Sequence, residues 1–280
     1  MPEGDTIYRA ARTLHAALSG QRIERFESVL TQLTRVDANA PIAGRLVERV
    51  EARGKHLLMW LSPEPSPVHG GGSLVLRTHM RMHGSWHIYR PAERWQRPRH
   101  EMRIVIETAP YVAVAFAVPV AEFIDARTIE RAGPVAELGP DVLSDTFDAA
   151  AAVARLQTRG DLEIAEALLD QRAIAGIGNV FKSEILFAAR VNPFTPVQAL
   201  DAAALTRIVA IAARQLRANV SDAATGGRTT TNRLDPSARL WVYSRRGLPC
   251  RRCGTPIQRT KHGADMRSTY WCERCQPRGT

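Results

Sequence analysis

Leu168-Leu169-Asp170-Gln171, followed by Gly176-Ile177-Gly178-Asn179 and then Ser183-Glu184-Ile185-Leu186, reads as two helical stretches joined by a glycine-bearing turn. Glycine lets two backbones approach closely, and the amides that open the second helix form a ready site for an anion such as a phosphate. A lone Gly-x-Gly carries little weight, so the block is read from its surroundings. Outward from it, Thr146 to Leu156, Asp161 to Leu169, Val180 to Ala189 and Ala202 to Arg217 all place apolar residues three and four apart, which predicts helices from about Gly133 onward. Ala218 to Pro249 is polar and rich in Gly and Thr. It reads as a mobile connection with one strand at Leu240 to Tyr243.

The first half has a different rhythm. Asp5 or Thr6 caps an opening helix with Ile7, Ala10, Ala11, Leu14 and Leu18 on one face and Gly20 as its terminator. Val47 to Val50, Leu57 to Leu61, Leu74 to Leu76, Trp86 to Tyr89, Met102 to Ile106 and Tyr111 to Val118 are short β-prone runs between Gly and Pro turns, the pattern of an antiparallel sandwich or barrel. Pro63 to Gly72 is a hairpin loop too rich in Pro and Gly for regular structure.

A chain of 280 residues, 45% hydrophobic and 24% charged, is globular and of a size that divides into more than one core, which excludes wholesale disorder and fibrous architecture. The longest uncharged apolar stretch, Thr108 to Ala121, contains two prolines and is shorter than the roughly 20 residues of a spanning helix. Glu3 and Asp5 precede any apolar run, unlike a secretory leader, so a cytoplasmic protein is expected. Of the net charge of +10, the segment from Arg228 to the end holds +9, with twelve basic residues against three acidic. A compact basic module is the footprint of phosphate-backbone binding, the bland alternative being a solvated tail. The basic residues comprise 35 Arg and only Lys55, Lys182 and Lys261. Arg keeps its proton at working pH whereas Lys can release one, so each lysine invites a chemical question. Cys250-Arg-Arg-Cys253 and Cys272-Glu-Arg-Cys275 have zinc-ribbon spacing. Four thiolates complete a tetrahedron around a structural Zn2+ and leave no position open for catalysis. Disulfides do not suit a reducing cytoplasm, and a redox pair needs one C-x-x-C within a βαβ unit.

The start Met1-Pro2-Glu3-Gly4-Asp5-Thr6, the run Arg53-Gly54-Lys55-His56, the helical block and the four-cysteine finger, in this order, resemble the formamidopyrimidine-DNA glycosylase / endonuclease VIII family over essentially the whole chain. The resemblance implies a multi-domain α+β protein. An N-terminal antiparallel β-sandwich with its N-terminal helix occupies residues 1–125, a helical helix-two-turn-helix domain 133–225, and a C-terminal zinc-ribbon finger 240–277. It also implies a bifunctional glycosylase and abasic-site lyase acting on double-stranded DNA with oxidised bases or abasic sites, monomeric and associated with the bacterial nucleoid.

The resemblance also implies roles, residue by residue, at the positions that match the family's motifs. Once Met1 is removed, Pro2 presents an amine that titrates near 8 and attacks the sugar. Glu3, its neighbour, donates a proton, Lys55 serves elimination and phosphate contact, and Arg267 clamps phosphates from the finger hairpin. Asn179 contacts phosphate, Lys182 adds charge beside it, and Arg81 and Met82 fill the hole left by a flipped nucleotide. Taken singly, Pro2 would merely start a helix, Glu3 complement its dipole and Lys55 snorkel at the surface; Asp170, Gln171 and Glu184 match family positions too, where buried capping and direct chemistry stand equally open. The usual second wedge of Arg and Phe has no counterpart in Ala113 to Arg127, and Glu137 stands where some members carry a DNA-contacting arginine. His79, His83 and His87 lie on one strand face, where packing outranks metal binding. Asp5-Thr6, the Leu169-Asp170-Gln171 block and the short Gly227 to Arg239 connection favour endonuclease VIII and oxidised pyrimidines. A purine-preferring enzyme, or a non-catalytic zinc-ribbon DNA binder, remains open.

Overall fold

The computed structural model describes residues 2–63, 72–221, 227–231, 233, 235–263 and 266–278. Most of the loop expected at Pro63 to Gly72 lies outside them. The chain divides into two compact units, one comprising Met1–Pro2 and Thr6–Glu137, the other Glu3–Asp5 and Leu138–Thr280.

In the first unit, α1 (Gly4–Leu18) turns Ile7, Ala11, Leu14 and Leu18 inward, as the helical period requires. It begins one residue before the expected cap, and Gly20 ends it with a φ of +77°. A short helix α2 (Thr31–Asn39) and two four-stranded antiparallel sheets follow. One runs β1 (Ile23–Ser28), β6 (Met102–Thr108), β7 (Val112–Phe116), β5 (Ser85–Tyr89), and the other β2 (Val47–Arg53), β3 (His56–Leu61), β4 (Leu74–His79), β8 (Val120–Asp125). The sandwich reading holds because the strands alternate two apolar sets. Leu57, Met59 and Leu61 join α1, Ile104, Ile106, Ala113 and Ala115 in the central core, while Leu58 and Trp60 pack with Val75, Ile129 and Val135 on the opposite face. In β7, Val112, Val114 and Phe116 likewise face away from the core, beside Tyr89, Met102 and Val105. Both strands are buried throughout, so they read as continuous apolar runs and not as half-wet alternation.

The second unit is helical: α3 (Ala149–Gln157), α4 (Ile164–Ala167), α5 (Asn179–Ala189) and α6 (Ala202–Ala218). Asp148 caps α3 by accepting from the Ala151 amide at 2.9 Å, and Asp201 caps α6 by accepting from Ala204 at 2.6 Å. The core gathers Leu156, Ile164, Leu168, Phe181, Ile185, Leu205, Ile208 and Leu216. At the carboxyl end, β9 (Gln258–His262) and β10 (Arg267–Trp271) form an antiparallel hairpin. Phe187 of α5 joins Val242, Ile257 and Tyr270 in one cluster with Cys250 and Cys272, which fastens the hairpin to the helical domain.

Leu240 to Tyr243 is not a strand. The amides of Trp241, Val242 and Tyr243 all donate, at 2.8 Å, to the buried carboxylate of Glu184, which also accepts from the Thr230 hydroxyl. An apolar run whose amides converge on one side chain has none left for a neighbouring strand.

Candidate active site

Helix α5 starts without a capping side chain from Gly178. Glu3 fills that role from the chain start. Its Oε1 accepts from the Val180 amide at 2.7 Å and its Oε2 from Phe181 at 3.2 Å, and the residue is only 1% exposed. The carboxylate thus satisfies two orphan donors and lies at the positive end of the helix dipole. Gly178 exists for this contact: a Cβ there would lie within 2.7 Å of Glu3 Cδ, Cγ and Oε1. Gly4 donates to the Gly176 carbonyl at 2.9 Å, and a Cβ on Gly4 would strike that backbone as well. The expectation of a phosphate on the amides opening this helix is therefore corrected for Val180 and Phe181, because Glu3 occupies them.

The surrounding charges are paired. Asp5, fully buried, takes a two-pronged contact from Arg228, Nε to Oδ2 at 2.9 Å and Nη2 to Oδ1 at 2.5 Å. The same guanidinium passes 3.9 Å from Glu3 Oε1 and lies over the Phe181 ring. Gln171 closes the inter-helix turn, its Nε2 donating to the Leu169 and Ile177 carbonyls and its Oε1 accepting from Gly176. Asp170 pairs with Arg159 at 2.9 Å. Asp170, Gln171 and Glu184 thus serve the scaffold. Asn179 is buried with Oδ1 unpartnered and its side chain engaged with the Tyr243 phenol.

Lys182 departs from its expected place. It is 1% exposed, and its Nζ donates to Thr269 Oγ1 at 2.8 Å and to the Ser268 carbonyl at 3.4 Å on β10. Burial lowers it to about 8. An ammonium enclosed in this way offers no surface charge to a duplex. Arg267 opens β10, half-buried and close enough to Lys182 for their charges to repel. Below the hairpin the four cysteine Sγ atoms lie within 4.8 Å of one another, Cys253 to Cys272 at 3.4 Å and Cys250 to Cys275 at 3.9 Å. Zn–S bonds of about 2.3 Å place tetrahedral sulfurs about 3.8 Å apart, so this set fits one structural zinc.

The first unit holds its own cluster. Gly54, with a φ of +57°, and Lys55 make the two-residue turn between β2 and β3. Lys55 is half-buried there. Arg77 Nη1 meets His56 Nδ1 at 2.9 Å, and the His56 and His79 rings meet edge-on with centroids 5.1 Å apart. Burial, reinforced for His56 by the neighbouring His79 and for both rings by Arg77, Arg81 and Lys55, holds His56 down at about 3 and His79 at about 4. His79 Nδ1 accepts from the Arg81 amide at 3.1 Å, which fixes a turn where Arg81 has a φ of +50° and Met82 stands 49% exposed. Arg97 braces that turn by donating to the His83 carbonyl at 2.9 Å and Ser85 Oγ at 2.8 Å. The expected histidine face is not one strand: His79 ends β4, His83 lies in the turn and His87 on β5. Among the described residues the four cysteines are the only group placed to hold a metal. Glu137 is exposed.

Sequence reasoning missed the Asp5–Arg228 pair, the seat of Glu3 on α5 and the Arg97 brace. The Gly-x-Gly was the one signal pointing at the second, since a glycine heading a helix asks what occupies its Cβ space.

Three stretches of the chain match known family descriptions: residues 1–132 the formamidopyrimidine-DNA glycosylase N-terminal domain, 138–231 the formamidopyrimidine-DNA glycosylase H2TH domain, and 247–278 the zinc finger found in FPG and IleRS. A probable endonuclease 8 2 of Streptomyces coelicolor is 40% identical over 99% of this chain and 94% of its own. The DNA-(apurinic or apyrimidinic site) lyase Nei2 of Mycolicibacterium smegmatis is 37% identical over 99% of both chains. The fold matches Lactococcus lactis Fpg in complex with abasic-site DNA, with a TM-score of 0.81 at 22% identity, covering 99% of this chain and 100% of that one. No helix among the described residues is long and apolar enough to cross a membrane. With relatives this similar along its whole length, the chain belongs to the formamidopyrimidine-DNA glycosylase / endonuclease VIII family.

Proposed function

We propose that the protein is a bifunctional DNA glycosylase and abasic-site lyase that works through its terminal amine and prefers oxidised pyrimidines. The observation that carries this reading is the seat of Glu3. A carboxyl directly following the chain-start proline is buried and held by two helix amides beside a guanidinium. Such a seat fixes a proton-transferring group next to a nucleophile in sequence.

With Met1 removed, the Pro2 nitrogen attacks C1′ of the damaged nucleotide. The glycosidic bond breaks and the base leaves with the proton given up by the attacking amine, while the Glu3 carboxylate relays a second proton, taken from water, to the opening ring oxygen, so nitrogen and C1′ become an iminium. Loss of a C2′ proton expels the 3′ phosphate, a second elimination expels the 5′ phosphate, and water hydrolyses the iminium to restore Pro2. Lys55 serves proton transfer and phosphate contact in these eliminations, and Arg267 steadies the departing phosphates as a fixed charge. Arg81 and Met82 enter the duplex in place of the flipped nucleotide, and Asn179 binds backbone phosphate. The zinc holds the finger and takes no part in the chemistry. Preference for pyrimidines is supported by relatives named endonuclease 8 at 37–40% identity, against 29–32% for those named formamidopyrimidine-DNA glycosylase. An enzyme of this kind works on chromosomal DNA, so it associates with the nucleoid.

Borohydride trapping tests the proposal on duplexes carrying an abasic site, thymine glycol or 8-oxoguanine, with intact mass confirming Met1 removal. Adducts on the first two, lost in Pro2→Gly, are expected. A dominant 8-oxoguanine adduct moves the enzyme to purines, and no adduct with a correctly processed terminus refutes the lyase.

A further inference from the structure

Lys182 is a buried ionisable group that the chemistry above leaves unused. It sits in the first turns of α5, where a cation opposes the helix dipole, and an ammonium removed from water is costly unless its donors are satisfied. Two acceptors on the finger strand satisfy it, Thr269 Oγ1 at 2.8 Å and the Ser268 carbonyl at 3.4 Å. Those residues directly follow Arg267 on β10. The same helix holds Glu3 on the amides of Val180 and Phe181, the two residues before Lys182. Of the charged groups around it, Glu3 and Glu166 favour the ammonium and Arg267 opposes it.

We propose that Lys182 is a positioning residue whose ammonium locks strand β10, and with it Arg267, onto the helix that seats Glu3. The inference rests on the lyase reading. It replaces the notion of Lys182 as a surface charge for DNA. Burial brings the group to about 8, so the lock is closed at neutral pH and opens as alkali removes the proton. Arginine at this position would keep its charge throughout.

The test uses the full-length, zinc-loaded protein as wild type, Lys182→Met, Lys182→Arg and Thr269→Val, in single-turnover cleavage of an abasic duplex. Binding to a duplex with an uncleavable abasic analogue is measured against salt. Lys182→Met is expected to slow cleavage about 10- to 100-fold, the cost of misplacing a reacting group by about an ångström, with the salt slope of binding unchanged. Thr269→Val slows it too, and adding it to Lys182→Met costs little more. The ratio of the Lys182→Arg rate to the wild-type rate climbs as pH passes 8. A salt slope reduced by about 0.9 would make Lys182 a phosphate contact and overturn the proposal, as would additive losses or a flat ratio. If Lys182→Met does not fold, Thr269→Val and Lys182→Arg still decide it. Absence of wild-type cleavage with Pro2 exposed refutes the lyase reading itself, a separate failure.

Discussion

At residue scale the contact that most constrains the chain start is Gly178 against Glu3. Since a Cβ on Gly178 would overlap the Glu3 side chain, Gly178→Ala must expel the carboxylate. The strain costs about 1–3 kcal/mol and the lost cap about 1 more. Cleavage of an abasic duplex is expected to fall at least about 100-fold, and a variant within twofold of wild type would show that the Glu3 seat is not catalytic. His56 and His79 make a second prediction. Both are held neutral well below the ordinary 6.5, at about 3 and about 4, first by burial and then by neighbouring cations. A depressed histidine stabilises the fold above its unfolded value, and that stability drains away as pH falls from about 6.5 toward 4, because the unfolded chain binds the protons. Between pH 7 and 5 the two together cost about 2 kcal/mol, after halving for solvent screening. In His79→Asn, whose amide oxygen can replace the ring acceptor for Arg81, the drop in Tm between pH 7 and pH 5 should shrink. An unchanged drop assigns the acid sensitivity elsewhere.

At the scale of elements, the exposed Met82 turn between β4 and β5 owes its shape to partners on either side, the His79 ring within it and Arg97 from the β5–β6 connection. Arg97 is further held by Glu101. Arg97→Met should leave strand pairing intact while loosening the turn, so that KM for a lesion duplex rises several-fold and an already abasic, single-stranded substrate is cut nearly as before. Equal loss on both substrates would place Arg97 in the chemistry and not in the wedge. The finger depends on metal in the same way, since its hairpin is short and four of its side chains converge as sulfur. Chelation should unfold it, because structural zinc supplies folding free energy outright. Tyr270 and Trp241 fluorescence near the cluster then changes, and cleavage is lost while the first unit keeps its sheet signal in circular dichroism. Survival of activity in the stripped protein would detach Arg267 from catalysis.

At the scale of the whole molecule, what was legible in the sequence was what is local. The face of α1, six of the eight strands in the two sheets and the cysteine knuckles each repeat over a few residues, so period and spacing reveal them. β1, β8 and α2 (Thr31–Asn39) were missed because Ile23, Ala121 and Leu33 are their only buried apolar residues, among polar or half-exposed neighbours. The false strand at Leu240 to Tyr243 and the hidden cap on α5 share a cause: their partners lie 57 or more residues away in the chain. No window of sequence contains both ends of such a bond. The candidate residues were named by motif, but the burial of Lys182 and the occupant of the α5 amides needed coordinates. Glu3–Asp5 belongs to the second unit, where the fully buried Asp5 holds the part-buried Arg228. Asp5→Ala leaves that guanidinium enclosed and without its two-pronged partner. Breaking a buried ion pair from one side costs about 3–5 kcal/mol, and the loss should fall on the helical unit, although the substitution lies at residue 5. Hydrogen exchange reads this directly. In Asp5→Ala the core amides of α5 and α6 should exchange faster, while those of β3 and β7 keep their wild-type protection. Uniform acceleration in both units would mean that the pair supports the fold at large, and no acceleration would mean that Arg228 finds compensation from Glu3.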